Sequence, residues 1–238
     1  MTQFGAEVVI VGAGQGVRMG ASVPKVFLPL GSRPVLLHTV RAFTALPEIR
    51  GVVLVVPAGE EPRVRELCGA GPNAEKIRAV VPGGARRQDS VRAGLDALSA
   101  DTELVLIQDA ARPFASPELI RRVLDAARRI GAAVPGVPVA DTLKQVNPDE
   151  TVACTLGRQG LVAVQTPQGF RIEVLRRAYA EAEVRGLEAT DDAGLVEQAG
   201  LPVAVVPGDP MNFKLTTPLD FRVAECVLPA AERGICEP

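Results

Sequence analysis

Aromatic residues are scarce. Phe, Tyr and Trp supply 3% of the 238 positions and tryptophan is absent, so a core has to be built from Val, Leu, Ile and Ala. The one histidine, His38, lies in Val35-Leu36-Leu37-His38-Thr39-Val40, which reads as a helix with His38 near the surface or the core edge. A histidine-based catalytic triad therefore has no obvious candidate. Cys68, Cys154, Cys226 and Cys236 include no C-x-x-C pair and no histidine-rich surroundings, which argues against a zinc site or a disulfide framework and for a reducing compartment. A net charge of −2 gives no global attraction for nucleic acid, so any anion site must come from local clusters of Arg and Lys. No apolar run approaches the roughly 18 residues of a membrane span, and no basic-then-apolar leader opens the chain. The expectation is a cytoplasmic protein with neither membrane nor nucleic-acid partners.

What is present is the balance of an ordinary globular domain, 47% apolar and 23% charged. Short apolar runs at Glu7 to Val11, Gly51 to Val56, Ile77 to Val81 and Glu103 to Ile107 read as strands. Between them, Pro34 to Leu46, Glu60 to Cys68 and Arg86 to Leu98 have helical spacing, and Ser116-Pro117-Glu118 opens another helix. Strand–helix units of this kind imply a mostly parallel sheet covered on both faces. The rhythm breaks after residue 131, where the apolar stretch Ala132 to Val139 carries Pro135 and Pro138. Asp141 to Gln145 and Thr151 to Leu156 flank the turn Asn147-Pro148-Asp149 and predict an antiparallel arm. Helices over Arg171 to Val184 and Asp192 to Ala199, a strand at Pro202 to Val206, and a helix capped at Thr217-Pro218-Leu219-Asp220 complete the chain. One domain over residues 1–238, with an arm at about 138–165, is the economical organisation.

Several polar clusters follow strand ends. Val11-Gly12-Ala13-Gly14-Gln15-Gly16 is a glycine-rich turn able to bring backbone N–H groups close to phosphates, or simply a tight turn. Val17 stands where a dinucleotide fingerprint needs glycine, and no Gly-Lys-Ser/Thr follows as in a P-loop. Arg18 and then Pro24-Lys25 add two cations, suited to a triphosphate; Lys25 alone could be a solvated loop lysine. A second glycine turn, Gly83-Gly84, enters a helix at Asp89-Ser90, where donors could read a base or ribose or merely start a helix with exposed arginines. In Asp109-Ala110-Ala111-Arg112-Pro113 the acid lies beyond a strand's carboxyl end, as a Mg²⁺ ligand or as a turn cap paired with Arg112. Thr190-Asp191-Asp192 begins a helix, and Asn212-Phe213-Lys214 offers a third phosphate cation.

Taken in order, with Asp141-Thr142-Leu143-Lys144 and Thr166-Pro167-Gln168, these segments resemble the 2-C-methyl-D-erythritol 4-phosphate cytidylyltransferases of the non-mevalonate isoprenoid pathway, over about residues 6 to 225. The resemblance implies a single Rossmann-like, doubly wound, mostly parallel α/β sheet of nucleotidyltransferase type with a protruding β-arm. It implies transfer of CMP from CTP to methylerythritol phosphate with release of pyrophosphate. Ala13, Gly14 and Gly16 would line the triphosphate, and Gly83, Asp89, Ser90 and Ala110 the cytosine and ribose. Arg18, Lys25 and Lys214 would stabilise developing charge, and Asp109 would bind Mg²⁺. Thr142, Arg158 and Thr190 would handle the polyol phosphate, with Thr142 and Arg158 reaching a partner's site because the arm crosses a homodimer. Two positions depart from the family's usual pattern: Val11-Gly12 replaces a Pro-Ala, and Val17 replaces a charged residue. An end at residue 238 leaves no expected place for a fused cyclase.

A phosphate nucleophile is already anionic near neutral pH, so this chemistry needs no strong base and suits a chain poor in histidine. Alignment and fixed positive charge would carry it. Three rivals predict different behaviour: a ribitol-5-phosphate or other sugar-phosphate cytidylyltransferase, an NAD(P)-binding oxidoreductase, and a nucleotide-binding regulator without turnover.

Overall fold

Every second residue of the first strand faces a different core. In the computed structural model, which describes residues 5–14, 24–69 and 71–228, β1 (Ala6–Val11) sends Val8 and Ile10 into one apolar cluster and Val9 into another. A 3-10 turn at Lys25–Phe27 and the short strands β2 (Pro29–Leu30) and β3 (Arg33–Pro34) lead into α1 (Val35–Thr44) and β4 (Ile49–Val56). Then come α2 (Glu61–Gly69), β5 (Ile77–Pro82), α3 (Arg87–Asp96), β6 (Leu104–Asp109) and α4 (Pro117–Ile130). The four strands and four helices read from the sequence are all present here, with ends displaced by a residue or two. Ser116 caps α4 by accepting the Leu119 N–H at 3.3 Å, and Gly131 closes it at φ 109°, a backbone angle that penalises any side chain.

The second half follows as β7 (Ala132–Pro138), β8 (Leu143–Val146), β9 (Val152–Leu156), β10 (Val162–Val164), β11 (Gln168–Arg171), α5 (Ile172–Arg185), α6 (Asp192–Gln198), β12 (Ala204–Pro207) and α7 (Pro218–Val227). The eight-stranded main sheet pairs in the order β10-β7-β11-β6-β1-β4-β5, and β12 also pairs with β7. β4, β1, β6 and β5 run parallel, β11 is antiparallel to both β6 and β7, and β12 is parallel to β7.

Here the sequence reading is corrected. Ala132 to Val139, where its prolines suggested a break, contains strand β7. The Pro135 carbonyl accepts the Gln165 N–H at 2.8 Å, whereas the next carbonyl, Gly136, accepts the Gly208 N–H at 2.9 Å on the opposite edge. A residue's N–H and C=O face the same way in a strand, so the donor Pro135 lacks would face Gln165–Pro167. That is the gap between β10 and β11, where no ladder bond is required. β10 and β11 themselves carried too few residues to stand out.

Both faces are covered. Leu36, Val40 and Phe43 of α1 and Ile120, Val123 and Ala127 of α4 pack on one side; Val91 and Leu95 of α3, Leu175 and Ala178 of α5, and Leu195 and Val196 of α6 pack on the other. A third cluster joins Leu30, Val35, Leu215, Ala224 and Leu228, holding α7 near the β2–β3 hairpin. His38 is buried, with Nε2 2.8 Å from the Leu30 carbonyl. β8 and β9 form a separate antiparallel sheet around the anticipated turn, closed by an Asn147 N–H to Thr151 carbonyl bond of 2.9 Å. Among the described residues, no helix is long and apolar enough to cross a membrane.

Candidate active site

Because β1, β4, β5 and β6 are mutually parallel, their carboxyl ends share one edge, and the loops leaving them are stitched together. Gly12 N–H reaches the Val55 carbonyl at 2.7 Å, Gly83 N–H reaches Val56 at 2.8 Å, and Ala110 N–H reaches Val11 at 2.9 Å. The Ala110 carbonyl in turn accepts the Thr39 hydroxyl at 2.8 Å. Gly83 is required by close approach: a Cβ built there would lie 2.2 Å from Ala13 Cβ. A Cβ on Gly14 would meet none of the described residues within 4 Å. Ser90 braces the second glycine turn by accepting the Gly84 N–H at 3.1 Å, and Asp89 joins Arg86 in a capping box that starts α3.

Asp109, the last residue of β6, lies among three cations. Lys214 Nζ is 2.6 Å from Oδ2, Arg87 Nε is 3.5 Å from Oδ1 and Arg112 Nε is 3.9 Å from Oδ2. Burial alone would raise this carboxyl, but Lys214, Arg87 and Arg112 outweigh it and hold the acid below the usual carboxylate range. The turn itself is closed through the backbone, the Asp109 carbonyl accepting the Arg112 N–H at 3.0 Å.

Lys25 and Lys214 converge. Val26 and Phe27 are buried and anchor the 3-10 turn that carries Lys25, and Lys25 Nζ donates to the Leu215 carbonyl at 3.0 Å, next door to Lys214. The segment bearing Lys214 is itself tied to the Asp109 loop. Leu215 N–H bonds the Ala111 carbonyl at 2.8 Å, the Arg112 guanidinium donates to the Asn212 carbonyl at 2.8 Å, and the Asn212 amide donates to the Thr166 carbonyl at 2.8 Å. Thr166 closes the circuit by accepting the Asp109 N–H at 3.0 Å.

The profile of the IspD family, 2-C-methyl-D-erythritol 4-phosphate cytidylyltransferase, matches residues 6–230. The chain belongs to this family. The 2-C-methyl-D-erythritol 4-phosphate cytidylyltransferase of Desulforamulus reducens is 48% identical over 220 residues, covering 92% of this chain and 94% of its own length. That of Symbiobacterium thermophilum is 47% identical over 226 residues, with 95% and 94% covered. Among solved structures, the Thermus thermophilus enzyme of the same name superposes with a TM-score of 0.79 at 42% identity, covering 94% of this chain and 98% of its own. The 4-diphosphocytidyl-2C-methyl-D-erythritol synthase of Anaerococcus prevotii gives 0.82 at 30% identity, with 94% and 98% covered.

Within this cytidylyltransferase, the structure gathers Ala13, Lys25, Gly83, Ser90, Asp109, Ala110 and Lys214 at the common edge. Gly16 and Arg18 lie outside the described residues. Thr190 is exposed, immediately before Asp191, whose carboxylate caps α6 by accepting the Gly194 N–H at 2.9 Å. Thr142 and Arg158 are exposed in and beside the β8–β9 unit, Arg158 donating to the Ala140 carbonyl; among the described residues neither bonds to the Asp109 cluster. Sequence reasoning passed over Arg87, read as a surface arginine, and Asp192, read as part of a cap. Asp192 is 1% exposed and accepts from Arg87 at 2.8 Å and from the Tyr179 hydroxyl at 2.7 Å.

Proposed function

We propose that the chain transfers CMP from CTP to 2-C-methyl-D-erythritol 4-phosphate, giving 4-diphosphocytidyl-2-C-methyl-D-erythritol and pyrophosphate for isoprenoid synthesis. The observation that carries this reading is the meeting of Lys25, Lys214 and Asp109 at the carboxyl edge of the parallel strands, in a chain of this family. A polyol phosphate oxygen forms a bond to the α-phosphorus of CTP while the bond from that phosphorus to the β-phosphate oxygen breaks, and the electron pair leaves with pyrophosphate. Two polyanions must be brought together, and preorganised cations at this edge lower that barrier without a proton-abstracting base. Lys25 and Lys214 hold the phosphates, with Arg18 as the third cation. Ala13, Gly14 and Gly16 are assigned to the triphosphate, and Gly83, Asp89, Ser90 and Ala110 to the nucleoside.

Asp109 suits Mg²⁺ by its chemistry: an oxygen donor kept ionised by its neighbours, able to serve as the single carboxylate of a largely phosphate- and water-bound ion. Bound Mg²⁺ would supply charge neutralisation on the triphosphate. The described residues hold no cluster of three or more His, Cys, Asp or Glu side chains, so a cage made wholly of protein is not invoked.

The whole chain acts as one nucleotidyltransferase domain, with residues of about 138–165 as its arm. On the β8–β9 arm the paired Val146 and Val152 are 57% and 58% exposed, an apolar patch that a second copy would cover, placing Thr142 and Arg158 beside the partner's polyol phosphate. Thr190 approaches the same substrate from its own subunit. Cys68, Cys154 and Cys226 are all free thiols, in keeping with the cytoplasm. The test is pyrophosphate release from CTP with methylerythritol phosphate or with ribitol 5-phosphate. Release with the first alone supports the assignment, and release with ribitol phosphate alone replaces it.

A further inference from the structure

Asp192 is a buried acid that the reaction as derived does not use. It is the first residue of α6, and its loop is fixed from β11, where Gln168 accepts the Ala193 N–H at 3.1 Å and donates to Asp191 at 2.7 Å. Both Asp192 oxygens are engaged, Oδ1 by the Tyr179 hydroxyl at 2.7 Å and Oδ2 by Arg87 at 2.8 Å.

Arg87 stands between two acids. Its terminal nitrogen makes the short contact with Asp192, while its Nε stays 3.5 Å from Asp109 Oδ1, beyond a strong hydrogen bond. Among the described residues these are the two acids with which Arg87 forms ion pairs. A buried guanidinium needs a counter-charge and makes its strongest pairs by bidentate contact with a carboxylate. If Asp192 lost its charge, Asp109 would be the acid left to meet that need, and Arg87 would close upon it. Asp109 Oδ2 is already met by Lys214, so the collapse would take Oδ1 as well.

Building on the cytidylyltransferase reading, we propose that Asp192 is a positioning residue: its negative charge restrains Arg87 and thereby keeps an Asp109 oxygen available to the divalent cation that accompanies CTP. Asp192 itself touches neither cation nor nucleotide. A purely structural Asp192 would make removal of its partner Arg87 a second injury, whereas a restraining Asp192 makes it a cure.

The test measures Mn²⁺ binding to enzyme plus CTP, without polyol phosphate, by the electron paramagnetic resonance signal of free Mn²⁺. Asp192→Asn is expected to weaken Mn²⁺ binding about tenfold or more, the scale on which groups supporting a metal ligand act. The double variant Asp192→Asn with Arg87→Gln is expected to recover most of that loss. Unchanged binding in Asp192→Asn, or a double variant no better than the single, overturns the proposal. Should circular dichroism show Asp192→Asn unfolded, the double variant, which leaves no unpaired buried charge, is compared with wild type. Binding within a few-fold of wild type then supports restraint, and a loss of about tenfold or more overturns it. CMP transfer by the wild type is assayed alongside. Transfer with Mn²⁺ binding insensitive to these substitutions removes the role of Asp192 alone, whereas absent transfer removes the reading beneath it.

Discussion

The Lys214 ammonium lies 2.6 Å from Asp109 Oδ2 across 105 positions of sequence, and Lys25 is bonded to the carbonyl of the very next residue, Leu215. Two cations held this way by the fold itself are what the proposed transfer would use. Replacing Lys214 or Lys25 with Ala is expected to lower kcat by about 10²- to 10³-fold, the scale of losing one preorganised contact in the transition state. Pyrophosphate release under saturating substrates reads the effect, with circular dichroism to verify the fold. Near-normal turnover in either folded variant would remove that lysine from the mechanism.

Much of this was legible beforehand, for physical reasons. β1, β4 and β6 are largely apolar on both faces because helices cover both, so they appear as short runs bounded by turns. Ser116, Thr217 and their following prolines announce helix starts locally. β7, β10 and β11 stayed hidden because their signals conflict or are too short: Pro135 argues against a strand unless its missing donor faces a break in the neighbouring ladder, which is a tertiary fact. Among site residues, Lys25, Asp109 and Lys214 could be named from the order of motifs. Arg87 and Asp192 could not, since what distinguishes them is burial against each other 105 positions apart, and no local pattern encodes that.

At Gly83 the demand is for empty space. An added methyl would lie 2.2 Å from Ala13 Cβ and 2.8 Å from Ser90 Oγ, so Gly83→Ala must push the β1 and β5 turns apart. The expected cost is about 1–3 kcal/mol, the range for overpacking a tight site. The KM for CTP should rise more than kcat falls, because the lysines remain in place. Ala13→Gly in the same chain should recover part of both losses; kinetics and urea unfolding of the two variants would show whether contact with Ala13 is the cause.

The arm presents a different test. The pair Val146↔Val152 leaves two exposed valines on one face of a two-stranded sheet, and a lone hairpin of that kind is only marginally stable in water. If a second copy covers that patch as proposed, Val146→Asp with Val152→Asp should shift sedimentation from a dimer toward a monomer at micromolar protein. Turnover should fall with it if Thr142 and Arg158 act across the interface. A variant that sediments as wild type would separate the arm from self-association.

Asp220 links helix capping to pH. Its Oδ2 accepts N–H groups from Thr216 and Thr217, each at 2.7 Å, and the Thr216 hydroxyl at 2.7 Å. Burial, the largest single influence, raises the carboxyl, but the Thr216 and Thr217 donors together prevail and hold it below its ordinary value. A depressed native pKa means the unfolded chain takes up the proton first as pH falls. The stabilisation is thus complete above the unfolded carboxylate value of about 4 and is lost as pH drops from there through the lower native value. Asp220→Asn should cost about 1 kcal/mol at pH 7, the scale of a helix cap, or roughly 2–4 °C in Tm for a chain of this size. The difference from wild type should shrink as melts are repeated at pH values below about 4. α7 and its C-cap also carry Ala224 and Leu228 against Leu215, beside Lys214, so the loosening begins close to Lys25 and Lys214. An equal melting deficit at both pH extremes would assign the stabilisation to the geometry of the cap rather than to its charge.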